Sequence, residues 1–388
     1  MKIFKFLLCA FWFAATTLHA QISSASLLHL NHVVKTYDLF LEQKLFELGA
    51  PGAAIAIVQG DSIVYMKCFG VREIGRPETI NPHTVFRVAS LSKGFAAVLT
   101  GLLVQDGILQ WDDKIVKHVP DFALKSEAHT RNLTIRHILS HTSGLPSHSY
   151  DNLVEANVPF DIIVEQLQSV PCVWPVGQNY NYQNVIFSLI GKILKVRTGT
   201  DYETLIKTRL FTPLKMTNAS VTREALLTNP NHASPHIRRR GEWRRTEVTA
   251  GYYAMAPAAG INASISDMAQ WLRALLGGMP KIVSPKVIQE VSTPVIKTRR
   301  ELRRYHFNGR ARHAYYGLGW RIFDYAGTNM VFHSGGVRGY VSQIAFLPEH
   351  DLGIVVLLNS NIENTFVSAF LDMYFSADQY IFHNTAQF

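Results

Sequence analysis

The same strand–turn–strand pattern occurs near both ends of the chain, and it constrains the fold more than any other feature of the sequence. Near the amino end, apolar runs at 53–58 and 63–69 flank a turn that contains Gly and Asp. Near the carboxyl end, the runs 341–347 and 353–358 flank a turn that begins with Pro348. Short apolar runs joined by such turns are typical of antiparallel hairpins. Both ends therefore supply antiparallel strands, and the simplest architecture joins them in one sheet.

The stretch between the two hairpins has a mostly helical pattern. Apolar residues recur there at helical spacing, and Pro and Gly residues separate the segments. The candidate helices cover 134–139, 160–168, 185–196, 202–210 and 266–276, and an amphipathic helix covers 26–48. We therefore expect residues 21–104 and 261–388 to form an α/β sheet region flanked by helices, and residues 105–260 to form an inserted helical lobe, together making one domain.

The first twenty residues, 1–20, have the pattern of a signal peptide. Lys2 and Lys5 precede an apolar run, and Leu18-His-Ala20 is typical of the residues before a signal-peptidase cut. The apolar run is too short for a membrane-spanning helix, which needs about 20 residues, and no later segment has a membrane-spanning pattern. We expect the mature chain to begin near Gln21 and the protein to be exported, either to a periplasm or out of the cell.

The sequence is basic, with 38 Lys and Arg against 29 Asp and Glu residues, and its arginines are unevenly placed. The segments 238–245 and 299–304 are dense arginine clusters inside polar stretches that we expect to be loops. In an exported protein such clusters could contact anionic envelope polymers or lipid headgroups, and solvated loop charge is the alternative. A nucleic-acid partner is not favoured, because export removes it and no groove-binding motif occurs.

The cysteines allow at most one disulfide in the mature chain. Cys9 lies in the predicted leader, which leaves Cys68 in a strand-like run and Cys172 before a Val-Trp-Pro segment. An oxidising compartment would permit a bond between them. We do not expect one, because the two residues belong to segments that we place in different parts of the fold.

Ser90 and Lys93 form a Ser-x-x-Lys sequence at the start of an apolar helix pattern. Three helical residues advance about 300° and rise about 4.5 Å, so the amine lies over the hydroxyl and, when neutral, can take its proton. The positive end of the helix dipole and partly apolar surroundings both favour the neutral amine. The alternative is an exposed helix cap followed by a solvated lysine. The sequence context favours a covalent serine hydrolase.

Tyr182 and Asn184 lie in a loop rich in polar and aromatic residues, directly before an apolar helix that begins at Val185. A tyrosine beside a lysine can have its pKa lowered by the cation and relay protons, and an asparagine can hold a substrate amide through both its donor and its acceptor. The alternative interpretation is a packed tyrosine followed by a helix cap.

His333 is the titratable residue of the segment Phe332-His-Ser-Gly-Gly-Val-Arg-Gly339, whose glycines allow a ligand to approach the backbone closely. The alternative is a partly buried, hydrogen-bonded histidine on a turn. His137 and His141 have the spacing of a helical metal pair, but no nearby Glu or third ligand accompanies them, so we do not expect a metal. Ser143 lacks the strand–turn–helix context of a nucleophile elbow.

Three motifs in this order, Ser-x-x-Lys at 90–93, Tyr-x-Asn at 182–184 and His-x-Gly at 333–335, give the chain its resemblance to a known superfamily. It resembles the serine β-lactamase and penicillin-recognising D,D-peptidase superfamily, especially the branch that holds class C β-lactamases, D,D-carboxypeptidases, D-aminopeptidases and related esterases. The segments 134–146 and 316–320 are also similar to the family's sequences. The likeness covers nearly all of the mature chain.

The resemblance implies an α/β plus all-α fold and a role for each motif residue. Ser90 would be the acylated nucleophile, Lys93 its base, and Tyr182 the group that exchanges protons with the nucleophile and the leaving group. Asn184 would hold the substrate amide, and the backbone N–H groups of Ser90 and Gly336 would form the oxyanion hole. His333 and Gly335 would complete the substrate-binding strand. The resemblance implies neither a metal nor an organic cofactor.

Two departures from the family pattern concern the substrate. Class C β-lactamases usually have Lys-Thr-Gly where this chain has His333-Ser-Gly335, so most of a permanent positive charge would be missing near neutral pH. Gln183 stands where Ser or Ala is more usual, and its length could crowd the cleft. Arg338 is a hypothetical replacement partner for a substrate carboxylate.

The sequence therefore predicts an exported serine hydrolase that acts through an acyl-enzyme on β-lactam, D-amino-acid peptide or small ester bonds. Class C-type β-lactamase activity as the main role is one alternative. The other is a non-catalytic module that binds the cell envelope through its arginine clusters, although the complete Ser90, Lys93 and Tyr182 set argues against it.

Overall fold

The computed structural model describes residues 28–305, 307–362 and 365–385, without the side chains of 308 and 377–385. The predicted signal peptide and Cys9 lie outside these residues. The chain divides into two compact units, residues 50–363 and residues 1–49 with 364–388. None of the helices among the described residues combines the length and the apolar character that crossing a bilayer requires.

The smaller unit contains two described helices, α1 over 28–47 and α15 over Phe366–Thr385. The buried Tyr37 of α1 donates a hydrogen bond to the carbonyl oxygen of Phe366 at 2.9 Å, and its ring packs edge-on against Phe370 at 5.2 Å. Within the amphipathic pattern over 26–48, residues 28–47 form the helix that the pattern predicted.

The described part of the larger unit has twelve strands. They are β1 (Gly52–Gln59), β2 (Ser62–Gly70), β3 (Val85–Arg87), β4 (His236–Arg239), β5 (Glu242–Arg245), β6 (Asn262–Ser264), β7 (Ile296–Lys297), β8 (Ala311–Tyr316), β9 (Arg321–Tyr325), β10 (Thr328–Val337), β11 (Tyr340–Leu347) and β12 (Leu352–Leu358).

Its α-helices are mostly short and lie between β3 and β8. They are α2 (Ser92–Gln105), α3 (Ile115–His118), α4 (Glu127–Asn132), α5 (Ile135–Leu139), α6 (Asp151–Glu155), α7 (Phe160–Gln166), α8 (Asn184–Thr198), α9 (Tyr202–Ile206), α10 (Arg223–Thr228), α11 (Ala256–Ala259), α12 (Ile265–Leu275), α13 (Pro285–Ser292) and α14 (Arg299–Tyr305). A π-helical segment over Lys207–Phe211 continues α9, and 3₁₀ turns include Ala89–Leu91 and Gly251–Met255.

Eight strands form one antiparallel sheet in the order β2-β1-β12-β11-β10-β9-β8-β7. The two hairpins predicted near the ends of the chain are both present, and β1 pairs directly with β12, for example Ala56 with Val355. Helix α12 packs on β1 and β12. The architecture expected from the sequence, an antiparallel sheet with helices and a mostly helical intervening segment, is confirmed.

The predicted loops at the arginine clusters are wrong. Residues 238–245 belong to the hairpin β4–β5, in which Arg240 and Gly241 both have positive φ, at 51° and 85°. Two such residues are what a tight two-residue turn between twisted strands requires. The second cluster is helix α14, because its arginines are good helix formers with no Pro or Gly among them.

Helix α2 is central to the larger unit. Twelve of its fourteen residues are buried, which explains its near-uniform apolar character. Phe95 stacks on Trp271 of α12 with ring centroids 4.0 Å apart. Gly94 is required because a Cβ at that position would lie 2.2 Å from the indole of Trp320. These contacts fix the first turn of α2, which carries Lys93 and directly follows the turn that carries Ser90.

Candidate active site

Ser90 lies in the 3₁₀ turn Ala89–Leu91, between β3 and α2. The preceding Ala89 has φ = 48°, a left-handed conformation that costs a residue with a Cβ roughly 1–2 kcal/mol. Two serine hydroxyls hold the turn: Ser92 donates to the carbonyl oxygen of Ala89 at 2.6 Å, and Ser342 donates to that of Val88 at 2.7 Å. The strained turn presents the Ser90 side chain at the head of the helix.

Lys93 is completely buried directly beneath Ser90. Its Nζ lies 3.4 Å from Oγ of Ser90, 2.7 Å from the side-chain oxygen of Asn184 and 3.0 Å from the carbonyl oxygen of Ala258. A neutral amine has two hydrogens and one lone pair. Because Asn184 and Ala258 offer acceptors for both hydrogens, the lone pair is left for the Ser90 hydroxyl.

The surroundings of Lys93 favour this neutral form. Burial, with a smaller effect from the nearby Arg321 cation, lowers the pKa of Lys93 well below its usual value, and the carboxylate of Asp151 only partly opposes the shift. The amine can therefore act as a base near neutral pH.

Tyr182 donates its hydroxyl hydrogen to Oγ of Ser90 at 2.9 Å. Burial raises the pKa of Tyr182, and the Arg321 cation offsets only part of that effect. The sequence-based expectation of a lowered tyrosine pKa is therefore wrong, because burial outweighs the neighbouring cation. Tyr182 is a phenol that can supply a proton, while Lys93 is the group that can accept one.

Both the oxygen and the nitrogen of the Asn184 carboxamide make hydrogen bonds. Its oxygen faces Lys93, and its Nδ2 donates to Oδ2 of Asp151 at 2.9 Å. Asn184 still contributes to the wall of the cavity beside Ser90. The contact between the Asn184 oxygen and Nζ orients the Lys93 amine. Because one Nδ2 hydrogen is donated to Asp151, only the second Nδ2 hydrogen remains to bind a substrate.

His333 is completely buried, so the expectation that it contacts substrate is corrected. Its Nδ1 lies 2.8 Å from the carbonyl oxygen of Ser334, and its Nε2 lies 3.0 Å from Nη1 of Arg321 and 3.2 Å from Oη of Tyr316. Nδ1 must donate to the carbonyl and Nε2 must accept, so the ring is neutral. Burial and the Arg321 charge lower the pKa of His333 well below its usual value.

The two glycines of the same strand differ in role. A Cβ at Gly335 would lie 2.4 Å from the carbonyl oxygen of Val88 and 2.5 Å from Oγ of Ser342, so Gly335 lets β10 approach the nucleophile turn. It does not line the cavity, which corrects its assignment as a substrate contact. Gly336 has open space on its Cβ side and lines the cavity, as expected.

The positive charge beside Ser90 belongs to Arg321 on β9. Its Nε donates to the carboxylate of Glu301 at 2.5 Å, and both side chains are at most 4% exposed. Burial alone would lower the pKa of Arg321, but surrounding groups, Glu301 among them, raise it well above its usual value. Arg338, the predicted carboxylate partner, instead donates to Thr246 at 3.0 Å at the surface.

A cavity of about 330 Å³ opens above these groups. The nucleophile lies in its wall with carboxylates from α6 and guanidinium groups from α14 and β9. The lining residues are Ser90, His148, Asp151, Glu155, Tyr182, Asn184, Tyr252, Ala259, Arg304, Arg321, Ser334, Gly336 and Val337. Such a size suits a small ligand.

Three other residues singled out from the sequence lie away from the cavity. Gln183 is buried, and its amide nitrogen points to the carbonyl oxygen of Pro146, so it does not crowd the cleft. Ser143 is also fully buried. His141 lies under Tyr182 with ring centroids 4.3 Å apart and accepts the backbone N–H of Gln183 at 3.1 Å, so it supports the Tyr182 loop.

The described residues add neither a cluster of metal ligands nor a disulfide to the site. Among the described residues, no three His, Cys, Asp or Glu side chains are grouped as metal ligands would be. Cys68 and Cys172, the cysteines that the structure describes, are both free.

Sequence reasoning missed three site residues: Asp151, Arg321 and Ser334. Arg321 directly follows the family-like segment 316–320, which was a usable signal, but its approach to His333 depends on the pairing of β9 with β10. Asp151 is the first residue of the short helix α6 and follows a polar stretch without a motif, so no sequence signal pointed to it.

Comparisons with known proteins identify the family and the fold of the chain. A family model described as beta-lactamase matches residues 38–370. Protein flp of Staphylococcus aureus (strain NCTC 8325 / PS 47) is 27% identical over 332 residues, covering 84% of this chain and 63% of that protein. Unguisins hydrolase ungD of Aspergillus violaceofuscus is 24% identical over 355 residues, covering 85% and 61%. The chain thus spans less than two thirds of the length of these relatives.

A solved structure is similar over most of the fold. The octameric penicillin-binding protein homologue from Pyrococcus abyssi matches with a TM-score of 0.78 and 27% sequence identity, covering 88% of this chain and 77% of that chain. Its fold is the α/β plus all-α fold that the motifs predicted. Since the family model spans most of the chain and the solved structure shares its fold, the protein belongs to the beta-lactamase family.

Proposed function

We propose that the protein hydrolyses amide or ester bonds through an acyl-enzyme on Ser90. The observation that carries this proposal is the buried Lys93, whose two nearest carbonyl acceptors leave its lone pair for Ser90. Activation of a hydroxyl by an adjacent base is how serine nucleophiles are generated.

In the proposed reaction, the protein's proton transfers involve three side chains, those of Ser90, Lys93 and Tyr182. Lys93 takes the hydroxyl proton as Oγ of Ser90 attacks the carbonyl carbon. The backbone N–H groups of Ser90 and Gly336 stabilise the resulting oxyanion, an effect worth about 3 kcal/mol or more per donor in comparable sites. Tyr182 then gives its proton to the leaving nitrogen or oxygen and is reprotonated from Lys93. Water releases the acyl group by the reverse sequence.

The cavity wall holds two guanidinium groups as well as the carboxylates of α6, and the guanidinium groups support a small substrate with an anionic group. Arg321 is held charged by Glu301, and the exposed Arg304 lies in the same cavity wall. A guanidinium binds a carboxylate through paired hydrogen bonds. β-Lactams, D-amino-acid peptides with a free carboxylate and small acidic esters all satisfy this requirement. Class C-type β-lactamase activity is a second candidate, supported by the likeness to a penicillin-binding protein homologue.

Covalent labelling tests the proposed reaction. A fluorophosphonate probe should add one label to the wild-type protein and none to Ser90→Ala, as measured by intact mass spectrometry. An unlabelled wild type with an intact fold would overturn the proposal and favour a non-catalytic binding module. The same measurement with nitrocefin, a D-Ala-D-Ala peptide and a p-nitrophenyl ester would separate β-lactamase, D,D-carboxypeptidase and esterase activities.

The proposed location is a periplasm or the cell exterior, reached through the 1–20 leader. Fractionation of expressing cells and amino-terminal sequencing test this proposal. It predicts a mature protein that begins near Gln21, and an uncleaved protein in the cytosol would contradict it.

The exposed arginines of the β4–β5 hairpin are proposed to contact anionic envelope polymers. Arg238, Arg239 and Arg240 are all exposed, and clustered basic charge attracts polyanions in a salt-dependent manner. Wild-type protein should be retained on immobilised polyphosphate at low salt, and replacing all three arginines by Gln should abolish retention. Equal retention of both proteins would contradict this contact.

A further inference from the structure

We propose that Asp151 is a positioning residue of this reaction: its carboxylate holds the Asn184 carboxamide so that the amide oxygen faces the amine of Lys93. The inference rests on the proposed acyl-enzyme function. It adds a residue on a different element, α6, to the groups that prepare the nucleophile.

The contacts form a continuous chain from the cavity wall to the nucleophile. Oδ2 of Asp151 accepts from Nδ2 of Asn184 at 2.9 Å, Oδ1 of Asn184 lies 2.7 Å from Nζ of Lys93, and that Nζ lies 3.4 Å from Oγ of Ser90. A carboxylate only accepts hydrogen bonds, so it fixes which end of the amide faces it. The flipped amide would place its oxygen against the carboxylate and its N–H groups against the lysine amine.

The direction of the Asn184 amide decides where the lysine lone pair points. With the oxygen facing Lys93, the amide takes one amine hydrogen and the lone pair is left for Ser90. In the flipped orientation an amide N–H would donate to that lone pair and compete with the serine hydroxyl. Asp151 therefore acts through Asn184 rather than by touching the reacting atoms.

Asp151 is itself held in place. Oδ2 also accepts from Nδ1 of His148 at 2.8 Å, and the Asp151 side chain is only 16% exposed. Oδ1 is buried without a hydrogen-bond partner, which leaves the carboxylate partly unsatisfied. A buried carboxylate with one unsatisfied oxygen costs stability. Retaining it is understandable if its charge and its acceptor geometry serve the site.

The carboxylate also sets the charge balance around Lys93. Burial lowers the pKa of Lys93, and Arg321 adds to that effect, whereas Asp151 raises it. The other titratable groups around this region are Tyr182, His141 and His333, which lie near Lys93, and His148 and Glu155, which line the same cavity as Asp151. Removing the Asp151 charge should therefore keep the amine neutral to lower pH, which is a signature that a purely structural role would not produce.

The test follows the rate at which a fluorophosphonate labels Ser90 as a function of pH, in the wild type, Asp151→Asn and Asp151→Ala. The Asn variant keeps the shape and an acceptor, so its maximal rate should stay within about fivefold of wild type while the acid limb of its profile moves down by roughly one pH unit. The Ala variant frees the amide and should lose at least about tenfold in maximal rate, with the same shift of the acid limb.

Asp161→Asn is the matched control, because Asp161 is exposed and its ion pair with Lys192 lies outside the cavity. Its pH profile should match that of the wild type. An Asp151→Ala variant that is labelled as fast as the wild type, or Asp151 variants whose acid limb does not move, would overturn this inference and leave the proposed function intact. A wild-type protein that is not labelled at all would overturn both.

Discussion

Lys93 and Arg321 are both buried basic side chains near the Tyr182 ring, yet their surroundings give them opposite properties. Nζ of Lys93 lies 4.6 Å from the Tyr182 ring centroid, and the guanidinium carbon of Arg321 lies 5.3 Å from it. The oxygens beside Lys93 belong to the neutral groups of Asn184 and Ala258, whereas Arg321 contacts the carboxylate of Glu301. Burial favours the neutral form of Lys93, whereas the guanidinium of Arg321 stays charged and is buried together with a carboxylate.

Substitution of Lys93 itself is the most direct test of the requirement for a neutral amine at this position. Lys93→Ala should slow fluorophosphonate labelling of Ser90 by about 10⁴-fold, at the upper end of general-base effects. Lys93→Arg should not restore the rate, because a guanidinium stays charged and has no lone pair to offer. Labelling rates measured on variants with wild-type circular dichroism check this prediction. An active Lys93→Arg enzyme would mean that neutrality at this position is not required.

Removal of the Arg321 counter-ion, Glu301, tests how much the buried ion pair stabilises the protein. Glu301→Gln leaves a buried guanidinium without a charge partner, which should reduce the free energy of unfolding by at least about 3 kcal/mol. Glu127→Gln, which removes an exposed pair with Arg131, should cost less than about 1 kcal/mol. Urea denaturation of both variants provides the measurement. Equal small losses would show that the Arg321–Glu301 pair contributes no more to stability than an exposed pair does.

Tyr182 lies near both basic side chains, and its hydroxyl probes the proton path to and from Ser90. Tyr182→Phe should reduce the rate of Ser90 acylation by about 10²-fold, because it removes the donor without disturbing the ring. Tyr180→Phe is the matched control, since Tyr180 donates to Glu301 at 3.3 Å and not to Ser90, and should change the rate by less than about threefold. Similar losses in both variants would argue that packing, and not proton transfer, explains the effect.

The Lys93 region was accessible to sequence reasoning because its groups are close in sequence or belong to recognisable motifs. Ser90 and Lys93 are three residues apart, so helical geometry alone brings them together. The end hairpins were equally local, since each needs only two runs and a turn. The Tyr182 and Asn184 positions came from a motif in a loop, and their approach to Ser90 is a tertiary contact that only the structure describes.

The Arg321 region was not accessible in the same way. Arg321 meets His333 because β9 pairs with β10, and it meets Glu301 because α14 packs near β8, so neither contact has a sequence period that reveals it. The sequence placed a carboxylate partner at Arg338, which is closer in sequence to His333 but points to the surface. The prediction that Gln183 could crowd the cleft was wrong for a similar reason. Successive side chains of the extended loop point in alternate directions, so the Gln183 side chain points into the core.

The last contrast is between the permanent charge of Arg321 and the histidines buried around it. Burial lowers the pKa of His141 and His333 well below the usual 6.5. Below pH 6.5 the unfolded chain therefore binds protons that the folded chain does not, so the free energy of unfolding should fall as the pH decreases from 6.5 and should not depend on these rings above it. Each ring contributes a slope of up to about 1.4 kcal/mol per pH unit.

His333→Gln separates this stability effect from substrate binding. Glutamine can still accept a hydrogen bond from Arg321 but does not titrate, so the slope of unfolding free energy between pH 5 and 6.5 should decrease by up to about 1.4 kcal/mol per pH unit. The KM of an anionic substrate should stay constant between about pH 6 and 8, since Arg321 and not His333 carries the charge that meets it. Urea melts at several pH values measure the first quantity, and steady-state kinetics measure the second. A KM that rises through this range in the wild type, but not in His333→Gln, would return the substrate-binding charge to the histidine.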